Sequence, residues 1–328
     1  MKIKTWLGIA LFTLVYIAVL EFIPKMSSAD HLVQEQAYKQ QIAPHPICYL
    51  VSSYSIGYEW QDEMINALKQ NLGSTCTIIE YELDSKNNFR DIDNRSRHAF
   101  ELYSTLKPNV VITSDDNAYN YFAEQYRKSI DVPIFAMGIN WVAPERDDTF
   151  VVEMPPLVPM MEELKAAYNV QSIKFIAGNT STTLRNIEHY RKAFTRLGVE
   201  FHFCATDTMD SWEDSIKKSQ NYDVLLLQNN AGIKGWDTFR AKQFIKNNIK
   251  TITVSVNTWM LPYSMKVFSK LPSEQAYLLS TRVKSYLETG IIPKDIAYNT
   301  EYETFVNDGL KRQMILNIEK SLGVANGE

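Results

Sequence analysis

The chain has 328 residues, of which 45% are apolar and 22% are charged, and its formal net charge is −4. A chain of that length and apolar content can bury one large hydrophobic core or two ordinary ones. The mildly acidic balance, with no basic run, argues against nucleic acid as a partner.

The N-terminus has the features of an export signal. Lys2 and Lys4 precede an uncharged apolar stretch over residues 6–20, and Ser27-Ser28-Ala29 offers a small-residue cleavage site. We therefore expect residues 1–29 to be a signal peptide and the mature protein to be soluble in the periplasm. Cleavage removes three lysines and one glutamate, which lowers the formal charge from −4 to −6.

An uncleaved membrane anchor is the alternative for this segment. Glu21 and Pro24 interrupt the apolar stretch before it reaches the roughly 20 residues that a membrane-spanning helix needs. The interruption favours cleavage, and the first residue of the mature chain is then Asp30.

Short apolar runs alternate with helical stretches after a polar lead-in at residues 30–45. In the first helix, Trp60, Met64 and Leu68 recur at helical spacing, and Gly73 ends the helix. The predicted strands of the first half are 47–53, 76–83, 109–113 and 132–139. Its predicted helices are 59–72, 91–106 and one that begins near Asn117 and ends before Asp131.

The second half repeats this scheme after a proline-containing connector at residues 154–159 and a helix at 160–168. Its predicted strands are 172–177, 199–205, 223–227 and 251–257. Its predicted helices are 182–197, a shorter one after Asp210, 238–247 and 273–289. An extended segment at 297–306 and a helix at 308–322 break the repeat. Apolar runs that alternate with helices are typical of buried parallel sheets.

Six of the apolar runs stop at clusters of small polar and aromatic residues, three before and three after Pro155-Pro156. In parallel α/β sheets, ligands bind outside the carboxyl ends of the strands. The pattern therefore predicts two similar lobes that face each other across one cleft. The candidate ligand-binding residues in these clusters are Ser52, Ser53, Tyr54, Ser114, Asp115, Asp116, Asn117, Asn140, Trp141, Asn179, Thr180, Ser181, Asn229, Asn230 and Trp259.

The members of this set offer different chemistry. Asp115 and Asp116 follow the third strand, where one carboxylate can cap the next helix and the other can pair with a cationic group. Trp141 and Trp259 end corresponding strands, so they can sandwich a planar or cationic ligand, although core or hinge packing is the alternative. The serines, threonine and asparagines can hold a carboxylate together with helix N-terminal amides, or act as ordinary helix caps.

The sequence lacks familiar catalytic and metal-binding patterns. It has no Gly-x-Ser-x-Gly elbow, no phosphate-binding glycine-rich loop and no His-Glu-x-x-His motif. We therefore expect a protein that is not an enzyme and that uses neither metal nor cofactor. Cys48 and Cys76 lie early in the first two predicted strands, so a disulfide between them and two buried free thiols are both open.

Three segments of the chain carry a resemblance to a known family. They are the strand and loop from Pro133-Ile134-Phe135 to Asn140-Trp141, the Asn257-Thr258-Trp259 turn and the closing Phe305-Val306-Asn307-Asp308-Gly309-Leu310. With the order of segments, they resemble the ABC-transporter substrate-binding proteins, whose known members include binders of aromatic amino acids. The resemblance covers the chain from about Ile47 to the end.

The resemblance implies an α/β protein with the type I periplasmic binding protein fold, a clamshell of two Rossmann-like lobes with parallel sheets. The N-terminal lobe would hold residues 46–150, with about 262–296 returning to it. The C-terminal lobe would hold residues 158–256, and residues 297–328 would form a tail that crosses between the lobes. Family members often have an acidic side chain where this chain has Gln228-Asn229-Asn230.

The implied function is the capture of a small polar ligand, an amino acid or another amine-bearing solute, by a monomeric protein. Closure of the two lobes would create the surface that an ABC permease recognises. The alternative, from another functional class, is a sensor that presents the same closed form to a membrane receptor or signalling enzyme.

The export signal is testable in cell fractions. N-terminal sequencing of the protein from the periplasm should begin at Asp30, because the small residues before it suit signal cleavage. Recovery of the full-length chain in washed membranes would show instead that the segment is an anchor.

Overall fold

The computed structural model describes residues 45–322. The predicted signal peptide at 1–29 and the lead-in up to residue 44 lie outside the described residues. Within residues 45–322, no helix is both long enough and apolar enough to cross a membrane.

Two sheets of six strands organise the described part of the chain. The first sheet consists of β1 (Ile47–Ser52), β2 (Thr77–Glu82), β3 (Val110–Ser114), β4 (Ile134–Asn140), β5 (Thr149–Glu153) and β11 (Ala297–Tyr298). The second sheet consists of β6 (Ser172–Gly178), β7 (Glu200–Thr206), β8 (Val224–Leu227), β9 (Ile252–Ser255), β10 (Lys266–Lys270) and β12 (Tyr302–Val306).

Both sheets have the strand order of a doubly wound α/β fold. The first runs β11-β5-β4-β3-β1-β2, and all of its pairs are parallel. The second runs β12-β10-β9-β8-β6-β7, and β12 is antiparallel to its neighbour. The strand order reverses between β1 and β3 and between β6 and β8, which is where such sheets bind ligands. The prediction of two parallel α/β sheets is confirmed.

Helices pack against the sheets. They are α1 (Glu59–Leu72), α2 (Ile92–Leu106), α3 (Asp115–Ala118), α4 (Leu157–Tyr168), α5 (Ser181–Arg196), α6 (Met209–Lys218), α7 (Thr238–Asn248), α8 (Pro272–Thr289) and α9 (Asp308–Ser321). Short 3-10 turns cover Phe89–Asp91, Arg127–Ser129 and Thr258–Tyr263, and a π-helical turn at Tyr119–Glu124 continues α3.

Side-chain alternation along β1 shows how one strand serves two cores. Tyr49 and Val51 face one side of the first sheet and pack in a core with Ala99 of α2. Cys48 and Leu50 face the other side and pack in a core with residues of α1 and α8. All four strand side chains are fully buried. Because both faces are covered, the strand is a continuous apolar run up to Ser52, and that pattern made it predictable.

The chain crosses between the two sheets three times. The first crossover is residues 154–156, between β5 and α4. The second is Leu271, between β10 and α8, and the third is residues 299–301, between β11 and β12. The two sheets are therefore joined by three short segments.

The helix α8 returns the chain to the first sheet. Its Leu279 and Val283 pack in the same core as Met64 of α1. The resemblance implied that the chain returns to the first lobe from about residue 262. The strand β10 belongs to the second sheet, so the return begins later, at α8. Pairing of β10 with both β9 and β12 holds it in the second sheet.

The side chain of Asn299 joins the three crossovers. Its Nδ2 donates to the Met154 carbonyl at 3.0 Å, and its Oδ1 accepts from the Met154 amide at 2.7 Å. The same Oδ1 accepts from Nε2 of Gln275, near the start of α8, at 3.1 Å. These bonds fix the relative positions of the chain segments from which both sheets extend.

Two strands, β5 and β10, differ from the sequence-based prediction, which does not include them. Each has five residues with a short apolar centre, Phe150-Val151-Val152 in β5 and Val267-Phe268 in β10. Such short runs have weak local preference for a strand, and pairing with neighbouring strands imposes the conformation. The predicted extended segment at 297–306 divides into β11 and β12, because the third crossover interrupts it.

Cys48 and Cys76 form a disulfide in the structure. Cys48 lies in β1, Cys76 directly precedes β2, and their Cα atoms are 5.9 Å apart. Both cysteines are buried, whereas the partly buried Cys204 is unpaired. The bridge therefore joins two neighbouring strands of the first sheet.

The disulfide predicts a specific labelling pattern. Alkylation of denatured, unreduced protein should label Cys204 alone, and the Cys204→Ser variant should take up no label before reduction. Reduction should lower the free energy of unfolding by roughly 3–4 kcal/mol, the chain-entropy value for a loop of this size. Labelling of all three cysteines without reductant would contradict the bridge.

Candidate ligand-binding site

The loops after the strands of both sheets enclose two adjoining cavities. The smaller, of about 170 Å³, is lined by side chains from both sheets, including Asp115 and Asn140 from the first and Gln228 from the second. The larger, of about 620 Å³, shares Trp60 and Trp259 with it. We call the two cavities together the cleft.

Asp115 is one of two carboxylates that line the smaller cavity, and Glu153 is the other. Asp115 directly follows β3 with φ 70°, a left-handed conformation that aspartate and asparagine tolerate better than most residues. Its Oδ2 accepts from the Tyr54 hydroxyl at 3.1 Å, and its Oδ1 accepts from the Asn117 amide at 3.3 Å. Burial, and then the neighbouring Asp116 charge, raises the pKa of Asp115 to about 7.

Asp116 has a supporting role in the structure. Its carboxylate accepts from the Asn140 amide at 3.3 Å and from the Asn140 Nδ2 at 2.8 Å. The helix α3 is bonded from the loop after β1, because Oγ of Ser53 accepts from the Ala118 amide at 2.8 Å. Of the two adjacent carboxylates, one faces the cleft and the other orients the Asn140 side chain, which also lines it.

Trp141 packs against the second sheet. Although it directly follows β4 of the first sheet, it is only 8% exposed and belongs to a core of the second sheet. Its ring stacks on His189 at 5.4 Å between centroids and meets Tyr190 edge-on at 4.8 Å. Trp259 is more exposed, at 36%, and lines both cavities. Trp141 thus combines cavity lining with core packing, and Trp259 offers the freer surface.

Lys270 and Glu153 form a buried ion pair in the wall of the smaller cavity. Lys270 ends β10 and Glu153 ends β5, so the pair links the two sheets directly beside two crossovers. Burial lowers the pKa of Lys270 to about 8, against the opposing effect of Asp115 and Asp116. Neither residue is among the residues predicted from the sequence, because neither strand is predicted.

Tyr54, Tyr58 and Lys86 form an aromatic and cationic group at the edge of the cleft. The two tyrosine rings meet edge-on at 4.9 Å between centroids. Nζ of Lys86 lies 3.0 Å from the Tyr58 ring centroid and 4.7 Å from that of Tyr54. Burial lowers the pKa of Lys86 to about 8 and raises that of Tyr58 to about 12. The sequence pattern pointed to Tyr54 but not to Lys86, which lies outside the six strand ends.

The second sheet contributes a row of hydrogen-bonded polar side chains. Nε2 of Gln228 donates to the Tyr190 hydroxyl at 2.9 Å, and Oε1 of Gln228 accepts from Nδ2 of Asn257 at 2.5 Å. All three residues line the smaller cavity. Thr180 also lines it and caps α5 by accepting from the Thr183 amide at 3.1 Å. These four residues therefore offer hydrogen-bonding groups without a charge, and Lys270 is the charged residue that the second sheet adds to the same cavity.

The cleft brings together part of the predicted set. The predicted residues that line the smaller cavity are Tyr54, Asp115, Asn140, Trp141, Thr180, Asn229 and Trp259, and Asn230 lines the larger one. The predicted residues whose side chains bond elsewhere are Ser52 with Glu80, Ser53 with Ser114, Asn117 with Ser85 and Asn179 with Asp207. Ser114 is buried beneath the strand end. The Ser181 side chain lies outside what the structure describes.

A metal centre is absent from the described part of the chain. Within residues 45–322, no group of three or more histidine, cysteine, aspartate or glutamate side chains is placed to hold a metal ion. The side chains that line the cleft offer charge pairing, hydrogen bonding and contact with aromatic rings.

Comparison with solved structures defines the class of fold. A substrate-binding protein with adhesive properties from Clostridium difficile, ligand-free and open, superposes with a TM-score of 0.63 at 9% identity, over 82% of this chain and 94% of that one. An ABC domain in complex with L-Trp from Streptococcus pneumoniae superposes with a TM-score of 0.58 at 12% identity, over 85% of this chain and 99% of that one. The Lac repressor bound to ONPG superposes with a TM-score of 0.55 at 12% identity, over 88% of this chain and 86% of that one.

These likenesses show that the chain has the type I periplasmic binding protein fold, as the sequence resemblance implied. No protein family model and no curated protein matches the sequence. At such low identities the likeness establishes the fold and leaves the ligand to be argued from the cleft.

The raised pKa of Asp115 predicts that the free energy of unfolding depends on pH. The pKa of Asp115, about 7 in the folded protein, exceeds the ordinary value, so unfolding releases a proton between about pH 4 and pH 7. Stability should therefore fall as the pH rises through that window. Asp115→Asn should be more stable than the parent at pH 8, by on the order of a few kcal/mol, and equal to it near pH 4.

Thermal and urea unfolding at both pH values measure this difference. Asp214→Asn, which changes an exposed carboxylate on α6, serves as the matched control and should follow the parent. An Asp115→Asn variant that is less stable than the parent at pH 8 would contradict the raised pKa of Asp115 in the folded protein.

Proposed function

We propose that this protein is a periplasmic solute-binding protein that captures a small, amine-bearing polar molecule in the cleft and delivers it to an ABC permease. The observation that carries the proposal is the Asp115 carboxylate, which lines a cavity enclosed by strand ends of both sheets. In this fold, a ligand held by both sheets stabilises the closed form that a membrane partner recognises.

The electrostatics of the cleft favour a cationic ligand group. Asp115 and Glu153 line the smaller cavity, and Lys270 is already paired with Glu153. The Asp115 carboxylate pays a desolvation penalty when it ionises, as its raised pKa indicates. An ammonium group beside it would offset that penalty, so ligand binding and ionisation of Asp115 support each other.

The remaining walls can orient such a ligand. Trp259 and Tyr54 present ring surface, which suits a planar or cationic group. Asn140, held by Asp116, and Asn257, held by Gln228, present polar side chains whose positions are fixed before a ligand arrives. Fixed polar groups beside aromatic side chains are typical of small-molecule sites.

Calorimetry with the copurified solute, identified first by mass spectrometry, tests the proposal. Asp115→Asn should weaken binding roughly tenfold to a hundredfold, the value of a buried charge-assisted hydrogen bond. The affinity of the parent for an amine ligand should rise between pH 6 and pH 8, because Asp115 ionises with a pKa of about 7. In Asp115→Asn this rise should be smaller.

Asp214→Asn again provides the control, with parent affinity expected at both pH values. If Asp115→Asn binds the solute as the parent does while remaining folded, the charge assignment is wrong. If cells that lack the protein take up the solute as fast as parent cells, delivery to a permease is wrong and the binding serves another purpose, such as sensing.

A further inference from the structure

The Lys86 ammonium occupies a position that is built for a cation. It lies 3.0 Å from the Tyr58 ring centroid and 4.7 Å from the Tyr54 ring centroid, within the range of cation–π attraction to both. The Tyr54 hydroxyl donates to the Asp115 carboxylate at 3.1 Å. The ammonium therefore meets two rings, and one of them belongs to the tyrosine that hydrogen-bonds Asp115.

The same two rings belong to the wall of the proposed ligand site. Tyr54 and Tyr58 line the smaller cavity, and Tyr58 and Lys86 line the larger one. The ammonium thus stands where the two cavities meet. A cationic group of a ligand that enters the cleft would meet the ring faces that Lys86 already covers.

We propose that Tyr54, Tyr58 and Asp115 form the cation subsite of the cleft, and that Lys86 is its resident occupant, which a ligand cation displaces. The proposal rests on the proposed solute-binding function and specifies the ligand class. Because the incoming group must replace an ammonium on the rings, the subsite selects a cation that leaves water more readily, such as a methylated ammonium or a guanidinium.

The loop that carries Lys86 permits this exchange. The Asp84 carboxylate accepts from Oγ of Ser55 at 2.9 Å and from the side chains of Asn87 and Asn88 at 2.8 and 2.5 Å. These bonds hold the loop on both sides of Lys86. The flexible Lys86 side chain can therefore leave the rings and enter the larger cavity while its backbone stays in place.

Calorimetric titration with tetramethylammonium chloride tests the proposal, since this probe has a permanent charge and no hydrogen-bond donor. Lys86→Met removes the occupant and keeps the length of the side chain, so it should bind the probe about two- to thirtyfold more tightly than the parent. Lys86→Arg retains a cation and should gain much less. Lys294→Met, at an exposed lysine outside the cleft, should match the parent.

Replacement of Tyr58 locates the effect. In the Lys86→Met background, Tyr58→Leu should abolish the gain in affinity, because it removes the ring nearest to the ammonium. A gain that survives Tyr58→Leu overturns the subsite. Equal or weaker binding of the probe by Lys86→Met than by the parent overturns the role of Lys86, and so does a failure of every variant to bind the probe.

A spectroscopic measurement gives a second, independent readout. After reductive ¹³C-methylation of the lysines, the Lys86 methyl resonance, identified by its loss in Lys86→Arg, should be shifted upfield by the two rings and should return toward the usual position when tetramethylammonium is added. A Lys86 resonance at the usual position in the free protein overturns the proposal. None of these results requires the copurified solute, so the proposed function, tested with that solute and Asp115, can fail separately.

Discussion

The buried amide of Asn299 is the contact on which the rest of the arrangement depends. It bonds both backbone groups of Met154 and the side chain of Gln275, and so it joins the three places where the chain passes between the sheets. Asn299 is 8% exposed, and an unpaired amide there would be costly. Because both sheets extend from these crossovers, the bonds set which strand ends face each other, and the cleft follows from that geometry.

Burial controls the chemistry of the cleft. The carboxyl of Asp115 and the ammonium groups of Lys86 and Lys270 all have pKa values moved toward neutrality, for the same physical reason: low polarity disfavours a charge. The cleft therefore holds groups of both signs whose charge is easily changed by a neighbour. In the proposed function, a ligand cation beside Asp115 favours the ionised carboxylate and gains affinity from that charge. The two buried ammonium groups are stabilised by other contacts, Lys86 by the Tyr58 ring and Lys270 by Glu153.

The fold by itself leaves several roles open. Substrate-binding proteins and the Lac repressor superpose on this chain with similar TM-scores, so the same scaffold holds ligands in proteins of different classes. On a shared fold, the side chains at the site decide what is bound. In this chain the smaller cavity is lined by two carboxylates, a lysine, aromatic residues and amides, and the proposal of a cationic solute depends on that set.

The local sequence determined the elements whose pattern is strong. The continuous apolar run of β1 and the long helix α8 were predictable, and so was the position of Asp115 at a strand end, because each depends on neighbours in the sequence. Tertiary structure alone decided the rest: the strands β5 and β10, the Lys270 to Glu153 pair, the packing of Trp141 on Tyr190 and the position of Lys86 over Tyr58. These features join segments that are distant in the chain, and local propensity carries no information about which distant segments the crossovers bring together.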